Sequence, residues 1–133
     1  MTHVWDATSQ RPLWSGPPTM LSVSLAVSSD GKVVAEGADQ GAVLLHEGRS
    51  GNLICTLNGH SQAVADIGFS PDLRRIVTCS PDGTARIWDA RSGRQLTILP
   101  GDGSNLHFSR FLDDGRSVVT VNSEGVARLY SVH

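Results

Sequence analysis

Three side chains of the kinds that hydrolases use for nucleophilic attack lie near one another in the sequence: His60, Thr78 and Asp82. In a catalytic triad an imidazole accepts the proton of a hydroxyl, and a carboxylate orients the imidazole. Such a hydroxyl must face a substrate, so the elements that carry these residues decide whether their role is catalytic or structural.

Metal and phosphate sites are the other chemistries to weigh. The histidines lack the short spacing of zinc ligands, and they are His3, His46, His60, His107 and His133. Asp30, Asp72 and Asp114 suggest calcium, but each lies in a separate turn, where aspartate commonly caps its own backbone. The glycine-rich residues 101–104 lack the strand and helix that flank a phosphate loop. We therefore predict no metal and no cofactor.

Composition favours a globular chain without a nucleic-acid or membrane partner. The chain has 133 residues, 39% of them hydrophobic, and a formal net charge of −2 without a basic stripe. No apolar run is long enough for a transmembrane helix, and the N-terminus lacks the apolar core of a signal peptide. Cys55 and Cys79 are isolated thiols, so neither a disulfide framework nor a zinc site is expected. We predict a cytoplasmic location.

The elements that must position these residues repeat every 42 residues. The shift aligns Gly41 with Gly83 and Gly125, Asp30 with Asp72 and Asp114, and residues 49–51 with residues 91–93. A regular period of this length is typical of a repeat architecture.

Each period contains short β-rich segments separated by turn residues. The clearest copy predicts strands at Ala63–Phe69, Arg75–Cys79, Ala85–Trp88 and Gln95–Leu99. No stretch shows helical periodicity, so the chain should be all-β. The pair Ile76-Val77 is apolar on both faces of its strand, so the sheet must be covered on both sides. Sheets stacked around an axis, as in a β-propeller, meet that need.

The segment from Gly59-His60 to Trp88-Asp89 resembles a complete WD repeat. The resemblance implies a hydrogen-bonded structural tetrad of His60, Thr78, Asp82 and Trp88. It places Thr78 inside a strand, with its hydroxyl beside the indole of Trp88 and without room for a substrate. On the family pattern, the apparent triad is structural and the protein is not an enzyme.

The other repeats depart from the tetrad pattern. The preceding repeat has different side chains at all four positions, so we expect no tetrad there: Pro18, Glu36, Gln40 and His46. The following repeat keeps only the threonine, so its tetrad should be partial at best: Asp102, Thr120, Glu124 and Tyr130.

The resemblance implies a single partial propeller over residues 1–133. It predicts two outer strands at 2–14, full blades at 21–57 and 63–99, and three strands at 106–130. About three blades cannot close a ring, so we expect the C-terminal part of a larger propeller or a subunit that self-associates. The side chains that an open arc would leave partly bare are Val33, Val34, Leu44, Leu45, Val118, Val119 and Leu129.

The resemblance also implies a scaffold that binds protein or peptide, within a larger signalling or regulatory protein. Its top face would comprise the loops into each first strand and the turns after each second strand. The candidate contacts there are Asp39, Ser61, Gln62, Pro81, Asn105 and Ser123. Trp14, near an outer strand, is a further candidate. The alternatives are an architectural array without a ligand, and a catalytic or small-molecule site in the central channel, for which the inner strands offer only Asp66, His107 and Arg110.

Overall fold

A computed structural model of the protein describes residues 2–17 and 21–132, which form thirteen β-strands and no α-helix. The strands are β1 His3–Asp6, β2 Arg11–Ser15, β3 Ser22–Val27, β4 Val33–Ala38, β5 Val43–Glu47, β6 Leu53–Leu57, β7 Asp66–Phe69, β8 Arg75–Cys79, β9 Ala85–Asp89, β10 Gln95–Leu99, β11 Leu106–Phe111, β12 Ser117–Asn122 and β13 Ala127–Ser131.

These strands form four antiparallel sheets in chain order. The sheets are β1–β2, β3–β6, β7–β10 and β11–β13, and consecutive strands are neighbours within each. The predicted all-β class and the arc of unclosed blades are confirmed. Strand β7 begins at Asp66 instead of Ala63, because the amide of Val64 donates to the carbonyl of Ala38 in the preceding sheet.

Two apolar cores separate the three larger sheets. One joins Leu45 and Leu57 to Ile76 and Trp88, and the other joins residues of β8 and β9 to Leu106 and Val118. Ile76 belongs to the first core and its neighbour Val77 to the second. The apolar pair in β8 is therefore covered on both faces, because one sheet packs on each side of it.

The prediction that seven apolar side chains are left partly bare is partly wrong. Val34, Leu45 and Val118 are buried, while Val33, Leu44 and Val119 are half-buried. The strand pair β1–β2 lies over the side of β4 that carries Val34, and Leu45 and Val118 face the two inter-sheet cores. Leu129, by contrast, is 68% exposed.

The ends of the arc expose positions that its interior buries. Leu129 occupies the same position of the repeat as Leu45 and Ile87, which are 0% and 1% exposed. At the other end Leu25, 54% exposed, occupies the position of Ile67, which is 2% exposed. A neighbouring sheet covers Leu45, Ile67 and Ile87, whereas no described residue covers Leu25 or Leu129.

Candidate functional site: the loop face of the arc

The residues of the apparent triad come together with Trp88 inside the sheet β7–β10. His60 lies in the loop before β7, Thr78 in the middle of β8, and Asp82 in the turn between β8 and β9. The Nδ1 atom of His60 is 2.9 Å from Oδ2 of Asp82, and its Nε2 atom is 2.7 Å from Oγ1 of Thr78. The indole Nε1 of Trp88 donates to Oγ1 of Thr78 across 2.9 Å. The structure thus brings together all four members of the tetrad.

The direction of these hydrogen bonds follows from the chemistry of each group. The carboxylate of Asp82 accepts, so Nδ1 of His60 donates and its Nε2 accepts the hydroxyl proton of Thr78. Each group in the chain from Trp88 to Asp82 is then satisfied when His60 is neutral. Burial lowers the pKa of His60 despite the opposing influence of Asp82, which favours this neutral form.

The buried position of Thr78 removes it from nucleophilic chemistry. Its side chain is 0% exposed, and its hydroxyl already bonds both His60 and Trp88. A nucleophile must reach a substrate carbonyl or phosphoryl group, and the hydroxyl of Thr78 cannot. The arrangement of His60, Thr78 and Asp82 is therefore structural.

Asp82 also fixes the loop that leads into β7. Its Oδ2 atom accepts the amide of Ser61 at 3.1 Å, and its Oδ1 atom accepts the hydroxyl of Thr84 at 2.6 Å. The hydroxyl of Ser80 donates to the carbonyl of Gln62 at 3.3 Å. Hydrogen bonds to Thr84, His60 and Ser61 lower the pKa of Asp82 although burial opposes them. The carboxylate therefore holds the turn and the loop together.

Glycines let neighbouring sheets share this loop face. Gly41, with φ of 99°, lies in the turn after β4, and a Cβ there would be 2.2 Å from the carbonyl oxygen of His60. In the next pair of sheets Gly83 approaches Gly103 in the same way. The contact at Gly41 leaves no room for a Cβ, and the 3.1 Å approach of Gly83 to Gly103 leaves little, so these two turns pack on the loops into the next first strands.

All six predicted contact residues lie on this loop face. The amide of Asp39 donates to the carbonyl of Leu21, and the amide of Ser123 donates to that of Asn105. The exposed members are Asp39, Ser61, Gln62, Asn105 and Ser123, and Pro81 is half-buried.

The charge of the loop face is acidic. Asp39 and Glu124 are exposed and have no salt-bridge partner among the described residues. Asp102 pairs with Arg128 across 3.2 Å, and hydrogen bonds from Ser104 and Arg128 lower the pKa of Asp102 to about 2. Asp102 is therefore a carboxylate at neutral pH.

Comparison with known proteins matches the repeat that carries the tetrad. The family model of the WD domain, G-beta repeat (WD40), matches residues 51–89, from the turn before β6 to the end of β9. Residues 51–89 are thus similar to a WD repeat. No curated protein matches the chain.

Solved structures share the fold of this arc of blades. A chain of the crystal structure of the mitotic checkpoint complex is 21% identical, with a TM-score of 0.85 over 97% of the arc and 41% of that chain. The β-propeller domain of Cps50 (Swd1) from Myceliophteria thermophila is 14% identical, with a TM-score of 0.78 over 87% of the arc and 37% of that chain. The arc thus spans about two fifths of each matched chain.

The first full blade, β3–β6, contains a buried polar network that the sequence analysis missed. Glu36 and His46, at the positions of Thr78 and Trp88, are 3.1 Å apart and both buried. The carboxylate of Glu36 also accepts hydrogen bonds from the hydroxyls of Ser22, at 2.6 Å, and Thr2. Nδ1 of His46 bonds the carbonyl of Gly51 at 3.1 Å. The tetrad is absent, as predicted, but a different network occupies its place and includes Thr2 from the segment before β1.

Hydrogen bonds lower the pKa of Glu36 and so favour its carboxylate form. Burial alone would raise its pKa, but the bonds from Ser22, Thr2 and His46 outweigh burial and lower the pKa. The sequence alone could have indicated this network, because an acid and a histidine occupy two tetrad positions of one repeat. Pro18 lies outside the described residues.

The last blade keeps the threonine of the tetrad without its partners. Thr120 is 1% exposed, and its hydroxyl has no hydrogen-bond partner among the described residues. Tyr130, at the position of Trp88, donates its hydroxyl to the carbonyl of Pro100 at 2.5 Å. Asp102, at the position of His60, is exposed. This tetrad is therefore not formed.

Trp14 and the channel residues have structural contacts. The indole of Trp14 donates to the carbonyl of Gly48 at 2.8 Å, and its ring lies 4.8 Å from that of His46. Asp66 and Arg110 form an ion pair at 2.5 Å that joins β7 to β11, and His107 is exposed outside this pair. These contacts fasten neighbouring sheets to one another.

Within residues 2–17 and 21–132, no three His, Cys, Asp or Glu side chains are grouped as metal ligands would be. The same residues contain no helix that is long and apolar enough to cross a membrane.

Proposed function

We propose that this WD arc is a non-catalytic scaffold that binds protein or peptide through its loop face. One observation supports the proposal: the tetrad, through Asp82, holds the loop that carries Ser61 against the turn after β8. Loops held by a rigid sheet scaffold bind with little loss of conformational freedom.

The charge of the face indicates the kind of partner. Asp39 and Glu124 supply carboxylates that form no salt bridge with any described residue, while Ser61, Gln62 and Asn105 supply exposed polar groups. A segment that carries lysine or arginine and hydrogen-bonding side chains complements this surface.

We further propose that more blades, from the same polypeptide or from a second copy, cover the two open ends. Leu25 and Leu129 are exposed at positions of the repeat that are buried wherever a neighbouring blade is present. Membership of a larger signalling or regulatory protein and the cytoplasmic location stay predictions. The same holds for the alternative of an architectural array without a ligand.

Affinity capture from the organism that encodes the chain tests the loop face. The variant S61R/Q62R places two arginines on the loop face, and the control T8R/N52R places two at the turns of the opposite end, where the side chains are also exposed. Both add the same charge. We expect partners identified by mass spectrometry to be retained by the control and lost from the loop-face variant. Equal capture by all three proteins, at equal thermal stability, would contradict the proposal.

A further inference from the structure

Leu73 has a left-handed backbone conformation at a position where the neighbouring repeats have glycine. In the turns between first and second strands, Gly31 and Gly115 have φ of 73° and 67°, and Leu73 has φ of 63°. Left-handed backbone is disfavoured for a side chain with a Cβ atom and costs glycine almost nothing. Strained backbone of this kind clusters at functional sites in proteins.

Leu73 lines a cleft at the end of the arc opposite the loop face. The cleft has a volume of about 470 Å³, and its apolar walls come from the inner strands of three sheets. They include Leu25 and Val27 of β3, Phe69 of β7 and Phe111 of β11. Phe69, Leu73 and Phe111 are half-buried and line the part of the cleft between described sheets, whereas Leu25 lies at the open end that a further blade would cover.

The free charge at the cleft is negative. Two charged side chains line it, Arg110 and Asp113. Arg110 is occupied by Asp66 and by the carbonyls of Ile67 and Ser109, and it lies 4.9 Å over the ring of Phe108. Asp113 is exposed and has no hydrogen bond or ion pair with any residue that the structure describes.

We propose that this cleft binds an extended peptide segment of defined chemistry. The segment inserts a large apolar side chain against Leu73, Phe69 and Phe111, and it directs a neighbouring lysine or arginine to Asp113. The apolar walls account for the inserted side chain, and the uncompensated carboxylate accounts for the cation. This site does not use the loop face, so the two proposals stand or fall separately.

Dipeptide probes test the cleft on the full chain. N-acetyl-Leu-Arg-amide is titrated into ¹⁵N-labelled protein, with N-acetyl-Leu-Glu-amide as the matched control. We expect shifts at the amides of Phe69, Leu73 and Phe111, and weaker binding of the glutamate probe. In L73G the arginine probe should bind about fivefold to tenfold more weakly, because the apolar wall is lost. D113N should remove the preference for arginine over glutamate.

Stability measurements separate loss of the wall from loss of the fold. Since glycine relieves the strained backbone, L73G should keep or raise the midpoint of thermal unfolding, whereas L73A keeps the strain and loses the wall. Unchanged probe affinity in L73G, shifts outside the cleft, or a lower midpoint for L73G than for L73A would overturn the proposal. Absence of probe binding would also overturn it, whether or not light scattering shows the chain to be associated.

Discussion

The two buried threonines at the same position of neighbouring blades predict opposite results for the same substitution. Thr78→Val removes the oxygen that accepts from Trp88 and the hydroxyl that bonds His60. Thr120→Val removes a hydroxyl that has no partner among the described residues. Both threonines are at most 1% exposed, and valine has nearly the shape of threonine, so packing changes little at either site.

The magnitudes follow from the hydrogen bonds. A buried polar group left without a partner costs about 1–3 kcal/mol, and Thr78→Val leaves two, the indole N–H and Nε2 of His60. We expect it to lower the free energy of unfolding by about 2–4 kcal/mol. Thr120→Val removes an unpaired group, so it should raise the free energy of unfolding by about 1 kcal/mol.

Urea denaturation at one fixed protein concentration, followed by tryptophan fluorescence and circular dichroism, measures both changes. The slopes against urea should be equal, which makes the midpoints comparable. If Thr120→Val lowered the free energy of unfolding as much as Thr78→Val, the reasoning would be refuted, since the tetrad hydrogen bonds would then contribute no stability beyond that of packing.

Four further predictions test other parts of the structure. Glu36→Gln should cost about 2–3 kcal/mol in urea denaturation, because an amide cannot accept from all of Thr2, Ser22 and His46; an unchanged midpoint would contradict the network. Gly41→Ala should cost more than about 2 kcal/mol and Gly125→Ala about 1 kcal/mol, since both have positive φ but only at Gly41 would the Cβ meet a neighbouring carbonyl; equal costs would count against the inter-blade contact. The pKa of His60 is lowered in the folded chain, so the unfolded chain binds more protons, and the free energy of unfolding falls as the pH drops below about 6.5, by at most about 1.4 kcal/mol per pH unit. His60→Gln should make the free energy of unfolding vary less between pH 7.5 and 5.5. A pH profile identical to that of the wild type would refute this. The chain at micromolar concentration should self-associate in light scattering, because Leu25 and Leu129 are bare at its ends; a monodisperse monomer would show that the ends need no cover.

The repeat allowed most of the fold to be predicted from the sequence. Alternating apolar residues and turn glycines define the strands, and Ile76-Val77 indicates sheets stacked on both sides. The tetrad was placed by its resemblance to a known family, and its residues meet at hydrogen-bonding distances.

What could not be predicted depends on contacts between repeats. The network of Glu36 needs Thr2, which is distant in sequence and reaches it only because β1–β2 lies over β4. Burial of Val34 has the same cause. The positive φ of Leu73 could not be predicted, because glycine indicates this turn geometry in the other repeats and leucine does not.

The central claim is that the loop face held by the tetrad is the binding surface. The most direct measurement is a titration of the shortest binding segment of a captured partner into ¹⁵N-labelled chain. The claim predicts that the largest shifts fall at residues 39–41, 58–62, 80–83, 100–105 and 122–125, and that His60→Ala weakens binding by loosening the central loop. Shifts confined to the outer strands or to the opposite turns, with affinity unaffected by His60→Ala, would contradict it.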